Sequence, residues 1–396
     1  MSKLVGRFMR TPLESGRALQ QARDRMDSLF RLVRLGSFYK RPIPERHRIV
    51  FYLGHVDAFD WNLMARYELG LSPLHEEFDR LFAFGIDPPP GQLPNDQPTD
   101  WPGLAEVRHY QQKTREKIDE LLPDIPERLV HVAIEHRLMH AETFAYILHQ
   151  LEYGSKVVPY QVRPGWRKQA PLDTGRMVTI PAGPARLGLE PGATFGWDNE
   201  FEAHTVDVPS FEIGKYKVTN GEYLDFMREG AEPPFFWVQR DGEWAFRGMF
   251  SEYPLPLDAP VYVTHDQATR YAKWRGMRLP TEAEYHRAAC GAARSSNLNF
   301  RYWDAIPVAA EDDGSARPMQ LAGNGWEWTS TVFAPFPGFE PFPFYRNYSE
   351  PFFDGQHYVL KGGSPLTAEC FLRPSFRNWF RPSYPYIYAT FRLVAG

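Results

Sequence analysis

The segment Leu129 to Leu151, LVHVAIEHRLMHAETFAYILHQL, constrains this chain more than any other stretch. Apolar residues at Val132, Leu138, Met139, Ile147, Leu148 and Leu151 recur at roughly the period of a helix with one buried stripe. His136 and His140 stand four residues apart, which puts both imidazoles on one face, one turn apart. That is the spacing a metal needs when two ligands come from a single helix. Glu142, two residues further on, turns away from the pair and suits a supporting position behind the ligands. Arg137 occupies the place of the general-base glutamate in the H-E-x-x-H zinc peptidases, which speaks against that chemistry. Helical histidine pairs also occur as solvated or core-satisfied residues, so a metal site requires a third ligand from elsewhere.

His55, in YLGHVDAFDWN, is the candidate. A lone histidine on an apolar face is more often a hydrogen-bonded core residue. Its weight comes from company. Residues 12–35 read as a first helix opened by Thr11-Pro12, with Leu19, Ala22, Met26, Leu29, Phe30 and Val33 at helical spacing. A second helix spans about residues 45–69 and carries His55, a third spans about 103–121, and the fourth carries the histidine pair. Four such helices predict a bundle, in which metal sites are built from inward-pointing side chains. Three neutral imidazoles with open positions suit Fe(II), Zn(II) or Cu(II), and the ligand set alone does not choose. The proline-rich stretch GIDPPPGQLPNDQPTDWP is expected to be a loop over one end of the bundle.

After Pro159 the pattern changes to short β-type runs broken by Gly and Pro, such as VTIPAGPARLGL and HYVLKGGS. Two short helices are expected near 220–228 and 281–290, and the boundary between the two halves at about 155–170. A chain of 396 residues can bury two cores. With 45 basic and 49 acidic side chains its net charge of -4 disfavours nucleic acid as a partner. The two cysteines, Cys290 and Cys370, do not make a disulfide framework and fit a reducing compartment. The N-terminus lacks the apolar core of a signal peptide, and no window has membrane-spanning length. The expectation is a cytoplasmic monomer with no membrane partner. The aromatic content of 15% suits a lined pocket, and Tyr345 and Tyr348 lie in a Pro/Gly-broken loop where residues are displayed.

The segments TIPAGPARLG, FGWDNEFEAHTVDVPSFEIGKYKVTNGEYLDF, MRLPTEAEYHRAA, GNGWEWT, YVLKGGS and FRNWF…FRL resemble, in that order, the formylglycine-generating-enzyme (sulfatase-modifying factor) domain. The first half, with LGH and H-x3-H-x-E, resembles a DinB-type four-helix bundle. The fold so implied is α followed by α+β: a DinB-like bundle over 1–160 and a C-type-lectin-like domain over 170–396. Formylglycine-generating enzymes bind copper through a cysteine pair, and Cys290 and Cys370 do not fall in that pattern. Nearly the whole chain is similar to the nonheme iron sulfoxide synthases of ergothioneine and ovothiol biosynthesis and to selenoneine synthase.

The resemblance implies Fe(II) as cofactor, with His55, His136 and His140 as its ligands. It implies an O2-dependent reaction joining a sulfur or selenium donor to the imidazole of hercynine, the trimethylated histidine. Tyr345, first of a Tyr-x-x-Tyr pair with Tyr348, corresponds to the catalytic tyrosine, and Asn378 and Trp379 to the Arg-Asn-Trp motif that holds the trimethylammonium group. Two departures bear on the donor. The loop GIDPPPGQLPNDQP has no Arg or Lys where γ-glutamylcysteine-using enzymes carry arginines, and Phe380, followed by Arg381, replaces an Asp. A dianionic donor would lose bidentate, charge-assisted bonds there, whereas a neutral selenosugar would lose nothing. Met139 replaces the Gln usual in ergothioneine synthases, although ovothiol-type enzymes share it. The expected donor is therefore a selenosugar, with cysteine or γ-glutamylcysteine, giving hercynyl sulfoxide, as the alternative. A zinc-dependent thiol transferase and a vestigial binding module are the readings from other classes.

Overall fold

The computed structural model describes residues 12–85, 93–159, 175–290, 295 and 297–396. Contacts divide the chain into two compact units, 1–160 and 161–396.

The first unit is helical: α1 (Pro12–Phe30), α2 (Ile49–Asp60), α3 (Glu76–Phe84), α4 (Leu104–Leu121) and α5 (Glu127–Gln150). Helix α5 packs on α1 and α2, and α2 also packs on α3 and α4. Leu19, Met26, Leu53, Val56, Ile118, Val132 and Ile147 are buried in this unit. The sequence pattern places four of these helices but overruns α1 and opens α2 a few residues early. Past Asp60, α2 continues as a π-helical segment, Trp61–Glu68, a conformation that tends to occur at functional sites. In α5 the buried stripe is broader than predicted, yet Leu138 and Met139 are only half-buried.

The pattern misses α3. Its signals were present in LHEEFDRLFAFG: the His75 side chain accepts from the Phe78 amide as an N-cap, and acidic residues fill the first turn. Gly85, at φ +75°, ends the helix where a side chain would be strained. Of the expected proline-rich loop, residues 86–92 lie outside the described residues, as does Thr11.

Among the described residues the second unit mixes short strands with three α-helices. Strands β1 (Met177–Ile180), β2 (Gly183–Leu187), β3 (His204–Val208) and β4 (Phe211–Gly214) precede α6 (Asn220–Arg228). Next come β5 (Trp237–Arg240), β6 (Glu243–Arg247), β7 (Glu252–Pro254), α7 (His265–Trp274), β8 (Met277–Arg278) and α8 (Glu282–Ala289). The chain ends with β9 (Trp326–Val332), β10 (Tyr358–Lys361), β11 (Asn378–Phe380), β12 (Ala389–Thr390) and β13 (Val394–Ala395). The sheets run β1-β4-β13-β8, β11-β10-β9-β12, β2-β3 and β5-β6-β7. Each helix opens with a capping box, from Thr219 to Glu222, Thr264 to Gln267 and Thr281 to Glu284. Helix α7 was not anticipated, although its Thr264-to-Gln267 box is a legible start signal.

Two groups of buried ions stand in place of apolar packing. Lys217 and Arg392 share Glu327, while Arg377 and Lys361 share Glu282. Among the described residues no helix is long and apolar enough to cross a membrane.

Candidate metal centre and aromatic site

Helix α2 presents His55, and α5 presents His136 and His140. One nitrogen from each of the three rings lies within 4.8 Å of the others. His55 Nδ1 donates to the Phe82 carbonyl of α3 at 2.6 Å, which leaves Nε2 as its lone-pair atom. That Nε2 lies 3.1 Å from His140 Nε2. Two nitrogens each about 2.1 Å from one ion, at about a right angle, would be about 3 Å apart. The residues therefore fit a metal held by imidazole nitrogens, with the Phe82 carbonyl fixing the His55 tautomer.

Electrostatics support the same use. Burial pushes His55 down to about 4, against the raising effect of the Phe82 hydrogen bond. Burial first, and then the neighbouring imidazoles, hold His136 and His140 well below the usual histidine range. All three rings are neutral at pH 7, so a cation would load without displacing protons. Phe51 stacks on His55 with centroids 4.7 Å apart, and Phe59 stacks on His136 at 3.5 Å. These rings restrict rotation of the ligands.

Gly54 explains the glycine of the LGH motif. A Cβ there would lie 2.5 Å from the Phe82 ring, which is fully buried. Gly54→Ala is expected to cost about 1–3 kcal/mol through overpacking. Because it displaces the residue whose carbonyl orients His55, it should also weaken the affinity of the histidine site for a divalent metal about tenfold. Urea unfolding and an anaerobic Fe(II) titration check the two effects, and unchanged affinity would remove α3 from the site.

Residues that the sequence reading passed over hold α2 and α5 in register. Arg137 is fully buried and donates to Asp57 at 2.8 Å, Asp60 at 2.5 Å and the Val56 carbonyl at 3.1 Å. Arg115 of α4 links Asp57 at 3.0 Å to Asp27 of α1 at 2.6 Å. One connected network thus touches all four long helices. Burial raises the Asp57 carboxyl, but Arg137 and Arg115 outweigh it and hold it well below the usual range. For Asp60 burial wins over Arg137 and its carboxyl is raised. The visible signal was D-x-x-D on α2, with Arg137 one residue beyond His136.

In the second unit, Tyr345 and Tyr348 lie in a turn between β9 and β10. Trp197 stacks on Tyr348 with centroids 4.1 Å apart, and Tyr345 lies 5.6 Å from Tyr348. Trp379, on edge strand β11, meets Tyr348 at 5.3 Å and stacks on Phe333 at 4.3 Å. Tyr345, Tyr348 and Trp379 therefore share one aromatic cluster, with Asn378 beside Trp379 on β11. Phe380 instead stacks on Tyr384, with centroids 5.2 Å apart. Arg381 is exposed, 3.9 Å from Asp354. Met139 belongs to the first unit, one residue before His140 on α5. Burial, then the charge of Asp198, pushes the Tyr345 hydroxyl up to about 12, so it keeps its proton at neutral pH.

Residues 18–149 match the DinB superfamily, and residues 164–317 and 317–396 match the sulfatase-modifying factor enzyme 1-like domain. The chain is thus a helical DinB domain followed by a β-rich sulfatase-modifying-factor domain with a C-type-lectin-like fold. It is 34% identical to the hercynine oxygenase of Mycolicibacterium smegmatis, over 71% of this chain and 75% of that one. It is also 29% identical to ergothioneine biosynthesis protein 1 of Schizosaccharomyces pombe, over 92% of this chain but only 54% of that longer protein. Similarity to the formylglycine-generating enzyme of Streptomyces coelicolor is 27% over 42% of this chain. The chain belongs to the hercynine oxygenase family of enzymes.

Proposed function

We propose that this protein is an O2-dependent nonheme Fe(II) enzyme that joins a sulfur or selenium donor to the imidazole of hercynine. The observation that carries the proposal is the convergence of three neutral imidazoles, His55, His136 and His140, in a chain of this family. Iron held there would supply a redox-active centre with open positions for O2. Hercynine, a thiol and O2 would balance as hercynyl sulfoxide plus water, both lost hydrogens leaving in the water.

The protein's own groups have distinct tasks in this reading. Tyr345, protonated at neutral pH, would serve as the proton donor of the oxidation. Trp379, braced by Phe333, offers an indole face to the trimethylammonium group, and Asn378 adds its amide. Tyr345→Phe is expected to keep iron and hercynine binding while lowering turnover or redirecting the oxidation to another product. Product masses and binding titrations check this, and an unchanged product spectrum would move the role to another residue.

The names of the relatives favour a sulfur donor, cysteine or γ-glutamylcysteine, over the selenosugar that the sequence reading puts first. A selenosugar donor keeps one specific support. Phe380 is half-buried against Tyr384 and offers no carboxylate to a charged donor, and in the first unit residues 93–98 contain no Lys or Arg. A competition decides between them. The Fe(II) protein receives hercynine with a selenosugar, cysteine and γ-glutamylcysteine in parallel, then O2. A hercynyl sulfoxide as dominant product supports the sulfur reading; a selenosugar adduct overturns it in favour of the neutral donor.

A further inference from the structure

The motif Trp197-Asp198-Asn199-Glu200 forms a short, wholly buried turn in the second unit. Four consecutive buried residues, two of them acidic, are costly unless each charge is answered. The partners of these two carboxylates are informative. Ser349 donates its hydroxyl to Asp198 and accepts from the Asn199 side-chain amide at 2.9 Å. The backbone amides of Asn199 and Phe342 also favour the charged form of Asp198, although burial dominates and raises its carboxyl to about 6. Phe342 and Ser349 bracket the turn that carries Tyr345 and Tyr348. Asp198 therefore holds that turn at its Ser349 end, while Trp197 stacks on Tyr348 from the same short segment.

Glu200 faces the other way. It receives Arg373 through two bonds, at 2.5 and 2.8 Å, and the Ser375 hydroxyl at 2.6 Å. The Asn199 carbonyl accepts from Arg377 at 3.4 Å. These residues lead directly into β11, which carries Asn378 and Trp379. The stretch from 333 to 349 contains no strand or helix, so side-chain bonds substitute for a ladder in fixing it.

We propose that Asp198 is a positioning residue for Tyr345. Its buried carboxylate clamps the tyrosine turn, and Glu200 sets the Asn378–Trp379 strand against the same segment. The proposal rests on the tyrosine role given above. Nothing in it requires Asp198 to touch substrate.

The test combines Asp198→Ala, Tyr345→Phe and the double variant, with kcat measured as formation of the hercynine-derived product using the best donor of the competition above. Asp198→Ala is expected to lower kcat about 10- to 100-fold through misplacement of the donor. Hercynine affinity and iron content should stay within about threefold, and the double variant should lose no more than about twofold beyond Tyr345→Phe. A readout without turnover is amide hydrogen exchange on the metal-free protein. Segment 342–349 should exchange at least about tenfold faster in Asp198→Ala, with α5 unchanged.

Ser349→Ala removes one arm of the clamp and keeps the test alive if Asp198→Ala does not fold. It should lower kcat about 3- to 10-fold with the same failure to add to Tyr345→Phe. Unchanged kcat and exchange in these variants would overturn the proposal, as would a full additional loss on the Tyr345→Phe background. Wild-type kcat in Tyr345→Phe would overturn it together with the tyrosine role, whereas a slow Tyr345→Phe beside a wild-type Asp198→Ala overturns the clamp alone.

Discussion

His136→Ala is expected to fold, to lose the binding of the proposed iron and to lose turnover. The ring is 2% exposed, stacked on Phe59, and faces two other imidazoles that are themselves neutral. Removing it leaves His55 and His140 as a two-ligand site, with a cavity where the third nitrogen stood. Loss of a residue that merely supports a ligand costs about 10- to 100-fold in metal affinity, so loss of a ligand should cost more than about a hundredfold. The fold should survive, because α5 remains tied to α2 through Arg137 and no charge is stranded. Iron content after anaerobic reconstitution, with circular dichroism as the control, checks this. Near-normal iron and turnover would sink the site assignment.

The second large effect is on stability. Arg137→Met should destabilise the helical unit by about 3–5 kcal/mol, because Asp57 and Asp60 keep their buried positions and lose their shared cation. Removing one member of a buried ion network strands the rest, which costs more than the network contributes relative to apolar packing. Arg115 still answers Asp57, but in the intact protein Asp60 already has a raised carboxyl and should take up a proton in the variant. The triple variant Arg137→Met, Asp57→Leu, Asp60→Leu should recover part of the loss. Urea unfolding followed by helical ellipticity measures both. A loss below about 1 kcal/mol in the single variant, the range of an exposed pair, would show that the network does not hold α2 against α5.

Periodicity and spacing made the convergence of three histidines legible; their use as metal ligands came from the family resemblance. A four-residue repeat on one helix and a histidine in another, both within a bundle pattern, bring His55, His136 and His140 to one point without knowledge of the loops. What orients them was less visible. The Phe82 carbonyl lies on α3, a helix short enough to be read as part of a long connection, and a backbone acceptor leaves no residue-type signature. Arg137 was seen only as the absence of a peptidase glutamate; its role depends on which face of α2 lies opposite, and that is a tertiary fact. In the second unit the strands are two to seven residues long, too short for alternation to fix their register. Capping boxes gave surer marks than hydrophobic pattern there, and the one at Thr264 would have found α7. The WDNE turn lies inside a segment quoted only for its family resemblance, because its contacts span more than a hundred residues of sequence and only the fold connects them.

The most direct test of the central claim is metal-dependent O2 uptake. Metal-free protein is loaded anaerobically with Fe(II) or Zn(II), and hercynine plus the three candidate donors are added before O2. The account predicts one tightly held metal per chain in either case, with O2 consumption and a hercynine-derived product only in the Fe(II) protein. Product formation by the Zn(II) protein without O2 uptake would contradict it, and would make the histidine cluster the centre of a redox-neutral transferase.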